Sequence, residues 1–193
     1  MAPGAKILTY SARGADADLR IVNAQFQADG VRAELHSPWG VAEFFSPLPG
    51  DFNLANVAAA VASLVLAGED LPAVLEAVAQ LQPVPGRMAL VPNTLDLQVV
   101  VDYAHTPHAL EQVLAALRPH VRGSLTTVFG CGGDRDEGKR PLMAAIAEQY
   151  ADHLVITDDN PRTENAENIV KDIVAGLKKP SLAHVQRDRR TAI

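Results

Sequence analysis

Between residues 99 and 177 the chain alternates short unbroken apolar runs with longer segments in which apolar residues recur every three or four positions. The runs are 99–102, 124–129 and 153–157, and each leads into a predicted helix, at 107–118, 139–150 and about 165–177. In the first helix Leu110, Val113, Leu114 and Leu117 fall at helical spacing; in the last Ile169, Val170, Ile173, Val174 and Leu177 do so. Thr106 stands at the N-cap of the first and Pro107 at its opening position, where a missing N–H costs nothing. Unbroken apolar strands alternating with helices predict a parallel sheet covered on both faces.

Residues 1–86 have a different rhythm. Segments 6–11, 19–27, 31–37 and 41–45 read as short strands, with Asp29-Gly30 as a hairpin turn. Segment 51–66 places Leu54, Val57, Val61, Leu64 and Val65 on one helical face, and 71–81 repeats the pattern with Pro72 in its first turn. Gln82-Pro83-Val84-Pro85-Gly86 reads as a linker, which puts a domain boundary near residue 86. The end of the chain, Asp188 to Ile193, reads as the start of a helix.

The polar residues cluster where the second-half strands end. Asp102-Tyr103-Ala104-His105 follows the first, Gly130-Cys131-Gly132-Gly133-Asp134-Arg135-Asp136 the second, and Asp158-Asp159-Asn160-Pro161-Arg162 the third. Ligands of open α/β sheets bind beyond the carboxyl ends of the strands, so the three clusters are expected to line one site. Glycines let bare backbone approach a charged ligand, and the neighbouring Asp, Arg and Lys residues suit one.

Composition narrows the classes. With 17 basic against 23 acidic residues and a net charge of −6, non-specific nucleic-acid binding is a poor expectation. A single cysteine, Cys131, excludes an internal disulfide and a multi-cysteine metal site, and fits a reducing cytoplasm. No apolar stretch approaches the roughly 20 residues of a membrane helix, and no signal-peptide layout opens the chain, so a cytoplasmic, membrane-free protein is expected; a monomer is taken as the default, with nothing in the sequence deciding oligomeric state.

Five motifs, in order, then carry a resemblance: Pro49-Gly50-Asp51-Phe52-Asn53-Leu54-Ala55-Asn56; Pro83-Val84-Pro85-Gly86-Arg87-Met88; Asp102 to Pro107; Val128 to Asp136 with Gly138-Lys139-Arg140-Pro141-Leu142-Met143; and Thr157 to Glu164. Over most of residues 45–193 the chain resembles the Mur ligases of peptidoglycan synthesis, in particular those adding meso-diaminopimelate. The resemblance implies an α/β fold: residues 1–86 as the tail of a central mononucleotide-binding ATPase domain, and 87–193 as most of a Rossmann-like C-terminal domain with a mostly parallel sheet. It implies an ATP-dependent amide ligase in which ATP phosphorylates the terminal carboxylate of UDP-N-acetylmuramoyl-dipeptide. It further implies that the amine of meso-diaminopimelate attacks the acyl phosphate and that the tetrahedral intermediate breaks its C–O bond to expel phosphate, with magnesium balancing charge. No G-x-x-x-x-G-K-[ST] occurs, so the P-loop and the magnesium ligands are expected upstream, and a terminal Gly-Lys-Gly-His-Glu segment beyond Ile193. No catalytic residue and no metal ligand is expected within these residues.

Site residues follow from the resemblance. Diaminopimelate carries two carboxylates and two ammonium groups, so its pocket calls for guanidinium forks and acceptors. Arg135 and Arg162 supply the forks, Asp159 and Asn160 the acceptors, and Pro161 stiffens the turn. Arg87 and Asp102 are assigned to ATP, Asp102 toward ribose hydroxyls; Asn53 and Asn56 lie on the adenine side, and Tyr103 and His105 border the nucleotide. Simpler readings stand beside these: solvated loop ion pairs for the first group, helix capping for the asparagines, a hydrogen-bonded strand-end residue for His105. Cys131 has no base partner in sequence and is not expected to act as a nucleophile. The family usually places Glu where Ala89 stands.

Three rival functions remain. L-lysine in place of diaminopimelate would need no distal carboxylate partner. A non-catalytic nucleotide- or amino-acid-binding module would use the same loops without turnover. A nicotinamide-dependent oxidoreductase would use Asp158, but Arg135 occupies the place of the third glycine of G-x-G-x-x-G.

Overall fold

A computed structural model describes residues 7–95 and 97–193. The chain divides into two compact units, parted between Asp102 and Tyr103.

The first unit is built on a four-stranded sheet in the order β1(Tyr10–Ser11), β2(Leu19–Gln27), β3(Gly30–Ser37), β4(Gly40–Ser46). β1 runs parallel to β2 and the rest is an antiparallel meander. Lys6, at the start of the first predicted strand, lies outside the described residues. Helices α1(Asp51–Leu66) and α2(Leu71–Val78) pack on one face of the sheet. There Leu19, Ile21, Val31, Leu35 and Phe44 meet Leu54, Val57, Ala58 and Val61 of α1 and Leu71, Val74, Leu75 and Val78 of α2. The buried stripe of α1 uses Ala58 and Ala62 where the sequence pattern favoured Leu64, which is 46% exposed: small residues let the helix sit close to the sheet. Asp70 caps α2 by accepting the Ala73 N–H at 3.4 Å.

A two-stranded antiparallel ribbon, β5(Ala89–Val91) with β6(Val99–Val101), closes this unit. That corrects the sequence reading, which put 99–102 in the parallel sheet. The valine run looks doubly buried, yet Val99 and Val101 are 37% and 48% exposed, so one face of the ribbon meets solvent.

The second unit has three parallel strands, β7(Thr126–Phe129), β8(His153–Ile156) and β9(Ala183–Val185), in that order. Helices α3(Pro107–Leu117), α4(Lys139–Tyr150) and α5(Ala166–Val174) pack in series around them, and α6(Arg189–Ala192) follows β9. Thr106 caps α3 through the Ala109 N–H at 3.3 Å, with Pro107 in the first turn; Asn165 caps α5 and Asp188 caps α6. The core joins Phe129, Cys131, Leu154 and Ile156 of the strands and their ends to Leu110, Leu114, Met143, Ala144, Ala147, Ile169 and Ile173. Thr126 and His153 are exposed and Val128 and Val155 half-buried, so the second face of the sheet is only partly covered. No described helix is long and apolar enough to cross a membrane.

Candidate active site: two loops at the carboxyl edge of the parallel sheet

β7 and β8 run parallel and in register, so the segments leaving their carboxyl ends, 130–138 and 157–164, emerge side by side. They touch so closely that glycine is required. A Cβ on Gly130 would lie 2.2 Å from the Thr157 carbonyl oxygen, and one on Gly133 would lie 1.9 Å from that of Pro161.

Polar contacts then stitch one loop to the other. The Gly133 N–H donates to the Asn160 carbonyl at 2.9 Å, and the Arg162 guanidinium donates to the Gly133 carbonyl. Asp134, at φ +50°, accepts the Thr163 hydroxyl at 2.7 Å and the Thr163 N–H at 3.2 Å. Those two bonds, with Arg162 nearby, hold the Asp134 carboxyl below the usual carboxylate range. The Asp134 N–H donates to Glu164 at 2.5 Å. Glu164 in turn accepts two bonds from Arg140, at 2.7 and 2.8 Å, and Arg140 also reaches Asp172 at 2.8 Å. Arg140 is 1% exposed. Burial alone would lower its pKa, but bonds to the two carboxylates more than reverse this and keep it charged.

The expected amino-acid ligands divide in this frame. Arg135 is exposed and makes no hydrogen bond or ion pair among the described residues, so its fork is open to a ligand; the Asp159 carboxylate is exposed and likewise unbonded. Arg162, at φ +49°, has part of its guanidinium committed to Gly133. Asn160 spends its side-chain oxygen on the Arg162 N–H at 3.1 Å, tightening the turn, and Pro161 carries the carbonyl that Glu164 N–H reaches at 3.0 Å. Asp158 faces elsewhere: it pairs with Arg187 at 2.5 Å, and its carbonyl accepts Arg189 Nε at 3.1 Å.

The strand-end histidine lies beside the same loops. His105 Nδ1 is 3.0 Å from the Tyr103 carbonyl, the two rings meet edge to face at 5.1 Å, and the His105 carbonyl accepts Lys139 Nζ at 2.9 Å. Cys131 is buried, its thiol directed at Met143 Sδ 3.9 Å away, and burial pushes its pKa up, which suits a packing residue rather than a nucleophile.

Of the residues assigned to the nucleotide in the first unit, Asp102 accepts the Met88 N–H at 2.8 Å and so secures a turn in which buried Met88 adopts φ +46°. Arg87 precedes it with an exposed side chain. Ala89, where the resemblance leads one to expect Glu, opens β5 opposite Val101. Asn53 donates to the Pro49 carbonyl at 2.7 Å, and Asn56 to Asn53 at 3.4 Å. Neither caps α1, whose N-cap is Gly50 with no side-chain bond, so the simpler capping reading does not hold.

Sequence reasoning missed Arg140, Glu164, Asp172 and Thr163 as the frame of this site. One signal was present: residues 140, 143, 144 and 147 share the buried face of α4, and Arg140 occupies it at helical spacing. Among the described residues no group of three or more His, Cys, Asp or Glu is placed to hold a metal ion.

The model of the Mur ligase glutamate ligase domain matches residues 86–193, and that of the Mur ligase middle domain matches 2–64. The chain belongs to the Mur ligase family. It is 46% identical over 191 residues to the UDP-N-acetylmuramoyl-L-alanyl-D-glutamate–2,6-diaminopimelate ligase of Coxiella burnetii, covering 97% of this chain and 39% of that protein. To the enzyme of the same name from Thermosynechococcus vestitus it is 49% identical over 180 residues, covering 92% and 36%. A solved structure of an enzyme of that name superposes with a TM-score of 0.74 at 44% identity, over 97% of this chain and 38% of that one. The chain thus spans less than two fifths of the length of these Mur ligases.

Proposed function

We propose that these residues form the amino-acid-presenting part of an ATP-dependent ligase that joins meso-diaminopimelate to UDP-N-acetylmuramoyl-L-alanyl-D-glutamate in the cytoplasm. The observation that carries the reading is the stitched loop pair: one loop carries the exposed fork of Arg135, and the other carries the exposed carboxylate of Asp159 together with Arg162, which bonds back to Gly133. A zwitterion with a carboxylate at each end needs cationic forks for the carboxylates and an acceptor for an ammonium, and these side chains are of those kinds. Identity of 46–49% to enzymes named for that amino acid supports the same choice.

In this reading the loops bind and orient. Arg135 and Arg162 hold carboxylates, Asp159 holds an ammonium group with help from the second lone pair of the Asn160 side-chain oxygen, whose first takes the Arg162 N–H, and the nucleophilic amine is thereby aimed at an acyl phosphate made elsewhere in the enzyme; orientation of this kind supplies a large part of an acyl-transfer rate. Arg87, Asp102, Asn53, Asn56, Tyr103 and His105 keep the assignment to ATP that the resemblance implies. The family match that starts at residue 86 supports a domain boundary near there, whereas the compact units part later, between Asp102 and Tyr103, because the β5–β6 ribbon packs with the first unit.

The test is turnover by a ligase carrying these residues, with meso-diaminopimelate and L-lysine as competing amines. Preference for diaminopimelate by about 10³ or more is expected, since lysine leaves a guanidinium unpaired. Equal use of both, or preference for lysine, overturns the substrate. Nucleotide binding without turnover would favour the binding-module reading.

A further inference from the structure

We propose that Arg140 is a positioning residue for the amino-acid site: through Glu164 it locks the 130–135 loop against the 157–163 turn and thereby sets where Arg135 and Arg162 present their guanidinium groups. The inference rests on the reading of these loops as the diaminopimelate site.

Arg140 stands in the first turn of α4, on the face that carries Met143, Ala144 and Ala147 into the core. A charge buried there persists only when it is paired and hydrogen-bonded. Its Nη2 bridges both Glu164 oxygens and its Nη1 takes Asp172. One of those Glu164 oxygens also receives the Asp134 N–H, and the Asp134 carboxylate holds Thr163 by two bonds. The bonds therefore run without a break from a buried guanidinium to both sides of the loop pair. Arg135 follows Asp134 directly, and Arg162 precedes Thr163, so a shift in this chain of bonds moves both forks.

A second observation argues against packing alone. Arg140 Nε is buried and finds no partner among the described residues. A core position chosen for stability would not leave such a donor unmet, and buried unsatisfied groups call for a reason. Here the terminal nitrogens are aimed at two carboxylates on different segments, Glu164 after the turn and Asp172 on α5. Only a planar fork reaches both; the single ammonium of lysine does not.

Two measurements on Arg140→Lys test this. In the 193-residue chain, amide exchange at Asp134 and Thr163 should speed up about tenfold or more, while Trp39 fluorescence, in the first unit, stays unchanged. In a ligase carrying these residues, KM for diaminopimelate should rise on the order of 10- to 100-fold while KM for ATP stays within about twofold. Glu164→Gln should move both readouts in the same direction, and it decides the matter if Arg140→Lys does not fold. Unchanged exchange, or equal increases in both KM values, would make Arg140 a structural residue and overturn the proposal. If the parent ligase does not use diaminopimelate at all, the functional reading falls, and the exchange measurement still decides whether Arg140 locks the loops.

Discussion

In the first unit Leu19, Ile21 and Leu35 meet Leu54, Val57 and Val61 across an apolar layer between sheet and helix. The second unit has such a layer too, but the loops above its sheet are placed by ions and hydrogen bonds: Arg140 between Glu164 and Asp172, Asp134 on Thr163, Arg162 on Gly133. The apolar layer tolerates small adjustments because its attraction has no direction. The polar stitches have direction and fixed partners, which suits loops that must hold guanidinium groups at set positions. The sheet–helix layer is thus set by apolar packing and the loop positions by directed polar bonds, which also carry part of the second unit's stability.

The comparison can be broken most forcefully in the first unit. Leu54 is fully buried, and Leu54→Ala should cost about 4 kcal/mol through lost transfer energy and the cavity left behind. Denaturation followed by the fluorescence of Trp39, which packs against this core, should record the loss. A shift below about 1 kcal/mol would mean the layer is less tightly packed than described.

Next in size is Arg140→Met, which leaves Glu164 and Asp172 without their cation. Both carboxylates keep some solvent, so the cost should be about 3 kcal/mol, the low end for breaking a buried pair. Amide exchange across α4 and α5 should report it, and the Trp39 signal should not. A stabilised variant would show that burying this charge is a net cost that packing could relieve.

The smallest effect concerns acid. Asp134 is held below the usual carboxylate range in the folded chain by Thr163, so its contribution to loop order is fully present above the unfolded value, about 4, and fades as pH falls through the lower folded value. Thr163→Val should move the Asp134 titration, followed by NMR, back toward the ordinary range. An unmoved titration would assign the depression to other neighbours.

Apolar periodicity made most of the fold legible. The bounds of α1 and α4 match the spacing, and the caps Thr106 and Asn165 stand where short polar residues precede apolar stripes. It failed where burial was inferred from composition alone. The valines of 99–101 pair with Ala89–Val91 in an exposed ribbon, and β9, only Ala183–Val185, is too short and too mixed to register as a strand. For the site, the motif residues were readable but their division of labour was not. Nothing local distinguishes Arg135, left open, from Arg162, half committed to Gly133, because the difference arises from a contact 29 positions away in sequence. Glu164 closes a motif and Asp172 lies on a predicted helix, but nothing in the sequence shows the buried cation that both of them hold.

Arg135 is therefore the cleaner probe of the central claim that this loop pair selects the amino acid: removing it takes away a charge without cutting a stitch. In a ligase carrying these residues, Arg135→Ala should lower kcat/KM for meso-diaminopimelate by about two orders of magnitude, the loss expected for roughly 3 kcal/mol of unpaired charge, with little effect on L-lysine. The ratio of the two specificity constants should narrow accordingly. A ratio unchanged from the parent enzyme would contradict the account and place the choice of amino acid outside these loops.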